Sequence, residues 1–115
     1  MLISKKDRNP ITKSSADKTA EPLTLDMLLK PPHKADKLRT FAHGVLAPGA
    51  SVGYHVHTGE SESYYILSGS GEYNDNGTIV PVTVGDVTFT ANGEGHGMKN
   101  TGTEPLHFIA LIILD

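Results

Sequence analysis

Four side chains in this sequence have the types and spacing to hold a metal ion: His55, His57, Glu62 and His96. His55 and His57 stand two apart in a stretch that reads as a strand, so both imidazoles project from one face, with Cα atoms about 7 Å apart. Two ring nitrogens can converge on one ion from that separation. Glu62 opens the following strand after a tight Thr58-Gly59 turn, and His96 arrives from a third strand beyond a Gly-containing loop. Three neutral imidazoles and one carboxylate make an N3O donor set suited to a borderline divalent transition metal: Mn, Fe, Co, Ni, Cu or Zn, one per chain. On an octahedral ion, four protein ligands leave two adjacent positions for water, a small-molecule ligand or dioxygen.

Other residues are candidates for the surroundings of that ion. With Glu62 facing inward, strand alternation turns Tyr64 inward too, and Phe41, His43 and Met98 are further candidates for the pocket wall. Glu94 lies on the loop Ala91–Gly97, which contains three glycines and is expected to act as a mobile lid or mouth. It is the acid placed to swing over the ion as a general acid or base. Glu60 is expected on a solvated rim, His107 in a structural role, and Asn100 in a hydrogen bond to a turn. Tyr54 and Tyr65 alternate away from the ligands.

The elements that must position these residues are short strands. From Lys37 onward, Leu38–Leu46, Ser51–His57, Glu62–Ser68, Gly69–Tyr73, Thr78–Val82, Val87–Ala91, His96–Thr101 and Leu106–Leu114 follow at intervals of about ten residues, the spacing of an all-β sandwich or barrel. Asp75-Asn76-Gly77 is a hairpin signal. Ahead of them, residues 1–37 read as an N-terminal arm with an edge strand around Leu2–Ile3. A short helical turn is expected over 23–30, capped by Thr24 and stopped by Pro31-Pro32. Residues 38–115 are the barrel. The last strand is apolar on both faces, so one face fills the barrel and the other must meet the N-terminal segment or a second chain.

Composition narrows the function. With 115 residues the chain is one domain's worth. It has no Cys, which excludes disulfides, a thiolate zinc site and a cysteine nucleophile. All twelve Gly lie at or after Gly44, and nine of the ten Lys and Arg lie at or before Arg39. Residues 1–39 carry +4 and residues 40–115 carry −7. An acidic body argues against nucleic-acid binding, and the longest apolar run, seven residues from Phe108 to Leu114, is far short of the roughly 20 that span a bilayer. A cytoplasmic protein is the expectation.

The sequence resembles the cupin superfamily over about residues 38–114. The first motif of that family, G-x5-H-x-H-x(3,4)-E-x6-G, matches Gly49, His55, His57, Glu62 and Gly69. The second, G-x5-P-x-G-x2-H-x3-N, matches Gly85, Gly93, His96 and Asn100, with Ala91 in place of the Pro. The resemblance implies a double-stranded β-helix, or jelly-roll barrel, and a homodimer. It also implies an open metal site formed by His55, His57, Glu62 and His96, acting on a small oxygen-bearing metabolite such as a carboxylate or hydroxy-carbonyl compound. Decarboxylase, dioxygenase, sugar-isomerase and non-catalytic ligand-binding activities all occur on this fold, so the fold alone does not choose among them.

Overall fold

The computed structural model describes residues 1–15 and 22–115. Among these residues are ten strands: β1 (Ile11–Lys13), β2 (Leu23–Leu29), β3 (Leu38–Leu46), β4 (Ser51–Val56), β5 (Glu60–Ser68), β6 (Ser70–Asp75), β7 (Thr78–Thr83), β8 (Val87–Thr90), β9 (Gly95–Lys99) and β10 (Leu106–Leu114). All pair antiparallel, in a six-stranded sheet of order β1-β2-β3-β10-β5-β8 and a four-stranded sheet of order β4-β9-β6-β7. This is the all-β architecture expected from the strand spacing, in the jelly-roll form that the resemblance implies. Among the described residues, no helix is long and apolar enough to cross a membrane.

Period-two alternation builds the core. In β10, Leu106, Phe108, Ala110 and Ile112 point inward. In β5, Glu60, Glu62, Tyr64 and Ile66 do the same. Leu46, Ile66, Leu106 and Phe108 from the larger sheet meet Tyr73, Val82 and Met98 from the smaller one in a single cluster. Fully burying each large apolar side chain stabilises the fold by about 1.5–3 kcal/mol.

Two glycines act through close packing instead of turns. Gly44 pairs with Phe108 across β3 and β10, and the Phe108 ring occupies the space a Cβ would need. A Cβ on Gly71 would fall 2.9 Å from Leu106 Cδ1 and against the Lys99 backbone carbonyl. The β6–β7 hairpin does turn where expected, with Asn76 at φ 51° and Gly77 at φ 101°.

The first third differs from expectation. Residues 23–30 form no helical turn. Leu23–Leu29 is a strand, with Leu23 opposite Leu46, Leu25 opposite Gly44 and Met27 opposite Ala42. The physical reason is the unpaired edge of β3. An eight-residue helix is marginal alone, whereas a strand satisfies its backbone against that edge and still turns Leu23, Leu25 and Met27 to one face. The short strand of the arm is Ile11–Lys13, not the region of Leu2 and Ile3, and Lys5–Asp7 forms a single 3-10 turn. The arm is fastened to its own barrel. Arg8 forms a bidentate ion pair with Asp26 (3.0 and 3.1 Å), and the Ser15 hydroxyl both accepts from Ser51 N–H (2.9 Å) and donates to the Ser51 carbonyl (3.3 Å). Of that arm, residues 16–21 lie outside the described residues.

Candidate metal centre

The barrel brings His55, His57, Glu62 and His96 together, with one potential ligand atom from each lying within 4.8 Å of all the others. His55 sits on β4 and His57 just past its end. Glu62 comes from β5, and His96 from β9, where it is paired with His55. His57, Glu62 and His96 are buried, and the His55 side chain is 41% exposed at the open side.

Each imidazole is oriented from behind. His55 Nδ1 donates to the Gly53 carbonyl (2.7 Å), which can only accept. His57 Nδ1 donates to Glu60 Oε2 (2.6 Å). His96 Nδ1 lies 2.8 Å from the Tyr73 hydroxyl, which in turn bonds Thr90 Oγ1 at 2.8 Å. With the Nδ1 protons of His55 and His57 so placed, their Nε2 atoms turn lone pairs into one space, which His96 Nε2 and Glu62 also face. His57 Nε2 lies 3.1 Å from His55 Nε2, 3.0 Å from His96 Nε2 and 3.0 Å from Glu62 Oε1, while His96 Nε2 lies 2.8 Å from the same oxygen. Lone pairs and an anion this close repel one another unless positive charge sits among them.

The outer partners include residues that the sequence reading misplaced. Glu60 is not solvated on the rim. It is 5% exposed and bonded to both His57 and the Arg39 guanidinium. Burial pushes its carboxyl pKa up, but the hydrogen bonds from Arg39 and His57 outweigh this and leave it below the ordinary value. The signal was its parity with Glu62, since residues two apart in a strand share a face. Tyr73 carried a similar signal: it pairs with Met98, which shares a face with His96.

Of the expected pocket residues, Tyr64 lines the cavity above the cluster and stacks on His96 with ring centroids 4.9 Å apart. Burial, and then the charge of Glu62, push its hydroxyl well above the ordinary range, so it stays protonated. Met98 is buried in the core cluster. Phe41 and His43 lie on the outer face of β3, because Ala42, Gly44 and Leu46 take the inner one. His43 Nε2 meets His107 Nδ1 there at 3.0 Å. The Glu94 carboxylate accepts from Ala91 N–H (2.9 Å) within its own loop, and Glu94 is not among the residues lining the cavity. That loop is no free lid. Gly93 N–H donates to the His57 carbonyl (2.7 Å) and His57 N–H to the Glu94 carbonyl (3.0 Å), so the loop braces a ligand. Asn100 is fully buried, its amide donating to the Leu46 and Glu104 carbonyls and its oxygen accepting from Gly102 N–H.

Comparison with known proteins agrees with this architecture. A family model described as a cupin domain matches residues 42–112. An oxalate-binding protein of Thermotoga maritima is 54% identical over 79 residues, which span 69% of this chain and 65% of that protein. A crystal structure of a predicted oxalate decarboxylase from Thermotoga maritima superposes over all of both chains, with a TM-score of 0.89 and 40% identity. A cupin 2 conserved barrel domain protein from Salinispora arenicola shares the fold at 23% identity, with a TM-score of 0.74 over all of this chain and 87% of that one. Motif spacing, sheet order and family match agree: this chain belongs to the cupin superfamily.

Proposed function

We propose that this protein binds one divalent transition metal through His55, His57, Glu62 and His96, and holds a small carboxylate or hydroxy-carbonyl ligand at the two positions left open. The observation that carries this reading is the convergence of four ligand atoms on one space, with the Nε2 lone pairs of His55 and His57 directed into it by acceptors behind each ring. The donor spacing favours an octahedral ion. At a bond length of about 2.1 Å, right-angle ligand atoms lie about 3.0 Å apart and opposite ones about 4.2 Å, whereas a tetrahedron spaces every pair at about 3.4 Å. Here four pairs fall between 2.8 and 3.1 Å, and His55 Nε2 to Glu62 Oε1 is 3.9 Å. When bound, such an ion supplies the positive charge that attracts and polarises a chelating oxygen.

Binding is the better-supported reading over turnover. Of the two carboxylates that line the cavity, Glu62 belongs to the proposed ligand set and Glu60 is bonded to Arg39 and His57. The Tyr64 hydroxyl, held protonated by burial and by the charge of Glu62, does not serve as a base. The name of the oxalate-binding relative supports a carboxylate ligand. Chelator-treated protein titrated with Co(II) is expected to take up one ion per chain, and oxalate is then expected to change the visible spectrum of the bound ion. Failure to take up a stoichiometric ion refutes the assignment.

We also propose that the chain pairs as a homodimer through the outer face of its larger sheet. Val87, Tyr65 and Ile109 form one cross-strand row there, and Phe89, Ser63 and Leu111 form the next, with Ser63 between the other two. Val87 is 71% and Phe89 64% exposed in the single chain, and Tyr65, Leu67 and Ile113 are also exposed. Contiguous apolar surface of this kind marks an interaction site. Sedimentation is expected to show a dimer at micromolar concentration, shifted toward monomer by Phe89→Glu; a wild-type monomer under those conditions excludes the pairing.

A further inference from the structure

The cavity over the ligand cluster is about 630 Å³. A six-atom dicarboxylate, at a generous 30 Å³ or so per heavy atom, fills less than about a third of it. The remaining space is bounded differently from the floor. Leu23, Leu25 and Met27 line it from β2, Val52 from β4 and Ile112 from β10. The three β2 residues fall two apart, so β2 turns one continuous apolar row toward the cavity. That row exists because residues 23–29 form a strand on the edge of β3 and not a helical turn. Two cations also line the cavity, Lys13 from β1 and Arg39 from β3, and one Arg39 nitrogen already holds Glu60.

We infer that the natural ligand is larger than oxalate: a carboxylate whose oxygens chelate the ion and whose apolar body, several carbons long, lies against Leu23, Leu25, Met27 and Val52. This inference rests on the metal-site reading above and extends it to the class of ligand. A polar head at the histidines and an apolar wall beyond them match a 2-oxo or 2-hydroxy acid with an aliphatic or aromatic side chain. The head provides the two oxygens for adjacent positions, and the body removes apolar surface from water on both partners.

The test uses Co(II)-loaded protein and a homologous series of 2-oxo acids, from pyruvate to 2-oxooctanoate, with phenylpyruvate and oxalate alongside. Affinity is read from the visible spectrum of the bound ion. It is expected to rise by about fourfold per added methylene over the first several carbons, as apolar burial dictates, and the longer acids are expected to bind more tightly than oxalate. Met27→Glu is expected to flatten the series while the protein still takes up one ion per chain. Leu25→Thr, which retains strand-forming character, is expected to weaken the longer acids several-fold more than pyruvate and guards against a folding defect in the first variant. A flat series, or oxalate as the tightest ligand, on protein that binds its ion normally overturns the apolar-body inference and leaves the metal site standing. Protein that takes up no ion overturns both.

Discussion

His96→Ala is expected to abolish stoichiometric metal binding, with a loss of affinity of more than about 100-fold, beyond the roughly 10- to 100-fold typical of changes behind a ligand. His96 is fully buried, close to both His57 and Glu62, and held from behind by Tyr73. Its removal takes one of three nitrogens from the ion and leaves the two remaining histidines and Glu62 with a gap on the β9 side. The barrel is expected to stay folded. Leu46, Ile66, Leu106 and Phe108 of its core cluster are not among the ligands, and of that cluster Tyr64 and Tyr73 contact His96. The new cavity and the loss of one of the two hydrogen bonds of the Tyr73 hydroxyl, which keeps Thr90, together cost about 1–3 kcal/mol. Metal content after dialysis and a far-ultraviolet spectrum measure the two effects separately. His55→Ala provides a second route to the same result, since its side chain is 41% exposed and its loss disturbs packing least. Wild-type metal content in both folded variants would rule out the donor set.

The four clustered residues were legible in the sequence because their signals are local. His55 and His57 share a face by strand parity, and the Thr58-Gly59 turn fixes where Glu62 begins. The strands of the barrel were legible for the same reason, being short alternating runs separated by Gly and Pro. What sequence could not settle depends on contacts far apart in the chain. Leu23–Leu29 satisfies a helical pattern and a strand pattern about equally, and the free edge of β3 decides between them. Glu60 reads as rim because its spacing from His57 is too short for the ligand motif. Its burial follows from Arg39, 21 residues upstream, which supplies the charge that allows a carboxylate to sit there. The loop at Ala91–Gly97 looked mobile from its glycines, yet its backbone is bonded to His57, more than thirty residues earlier. In each case the missing information is a partner, not a propensity.

Glu60 carries the last prediction. His57 lies nearest the centre of the cluster, within 3.1 Å of two other imidazoles and a carboxylate oxygen, and it can face an ion only while its proton stays on Nδ1. Glu60 holds that proton at 2.6 Å. Its own charge is kept by Arg39, whose side chain is 59% exposed and free to adapt. Replacing Glu60 by Leu removes the acceptor at nearly constant volume and leaves a buried N–H without a partner. The ring can then flip or move its proton to Nε2, and either change closes the site to a cation. Affinity measured by competition with a chelator is expected to fall about 10- to 100-fold. Glu60→Gln is expected to recover most of that loss, because its amide oxygen can still accept from Nδ1 while lacking the charge. A purely structural role for Glu60 predicts equal damage from both variants, and an unchanged affinity in folded Glu60→Leu protein would remove Glu60 from the metal site altogether. The ordering of wild type, Gln and Leu separates orientation of the ligand from simple packing, since the two variants differ in whether a proton on His57 has somewhere to go.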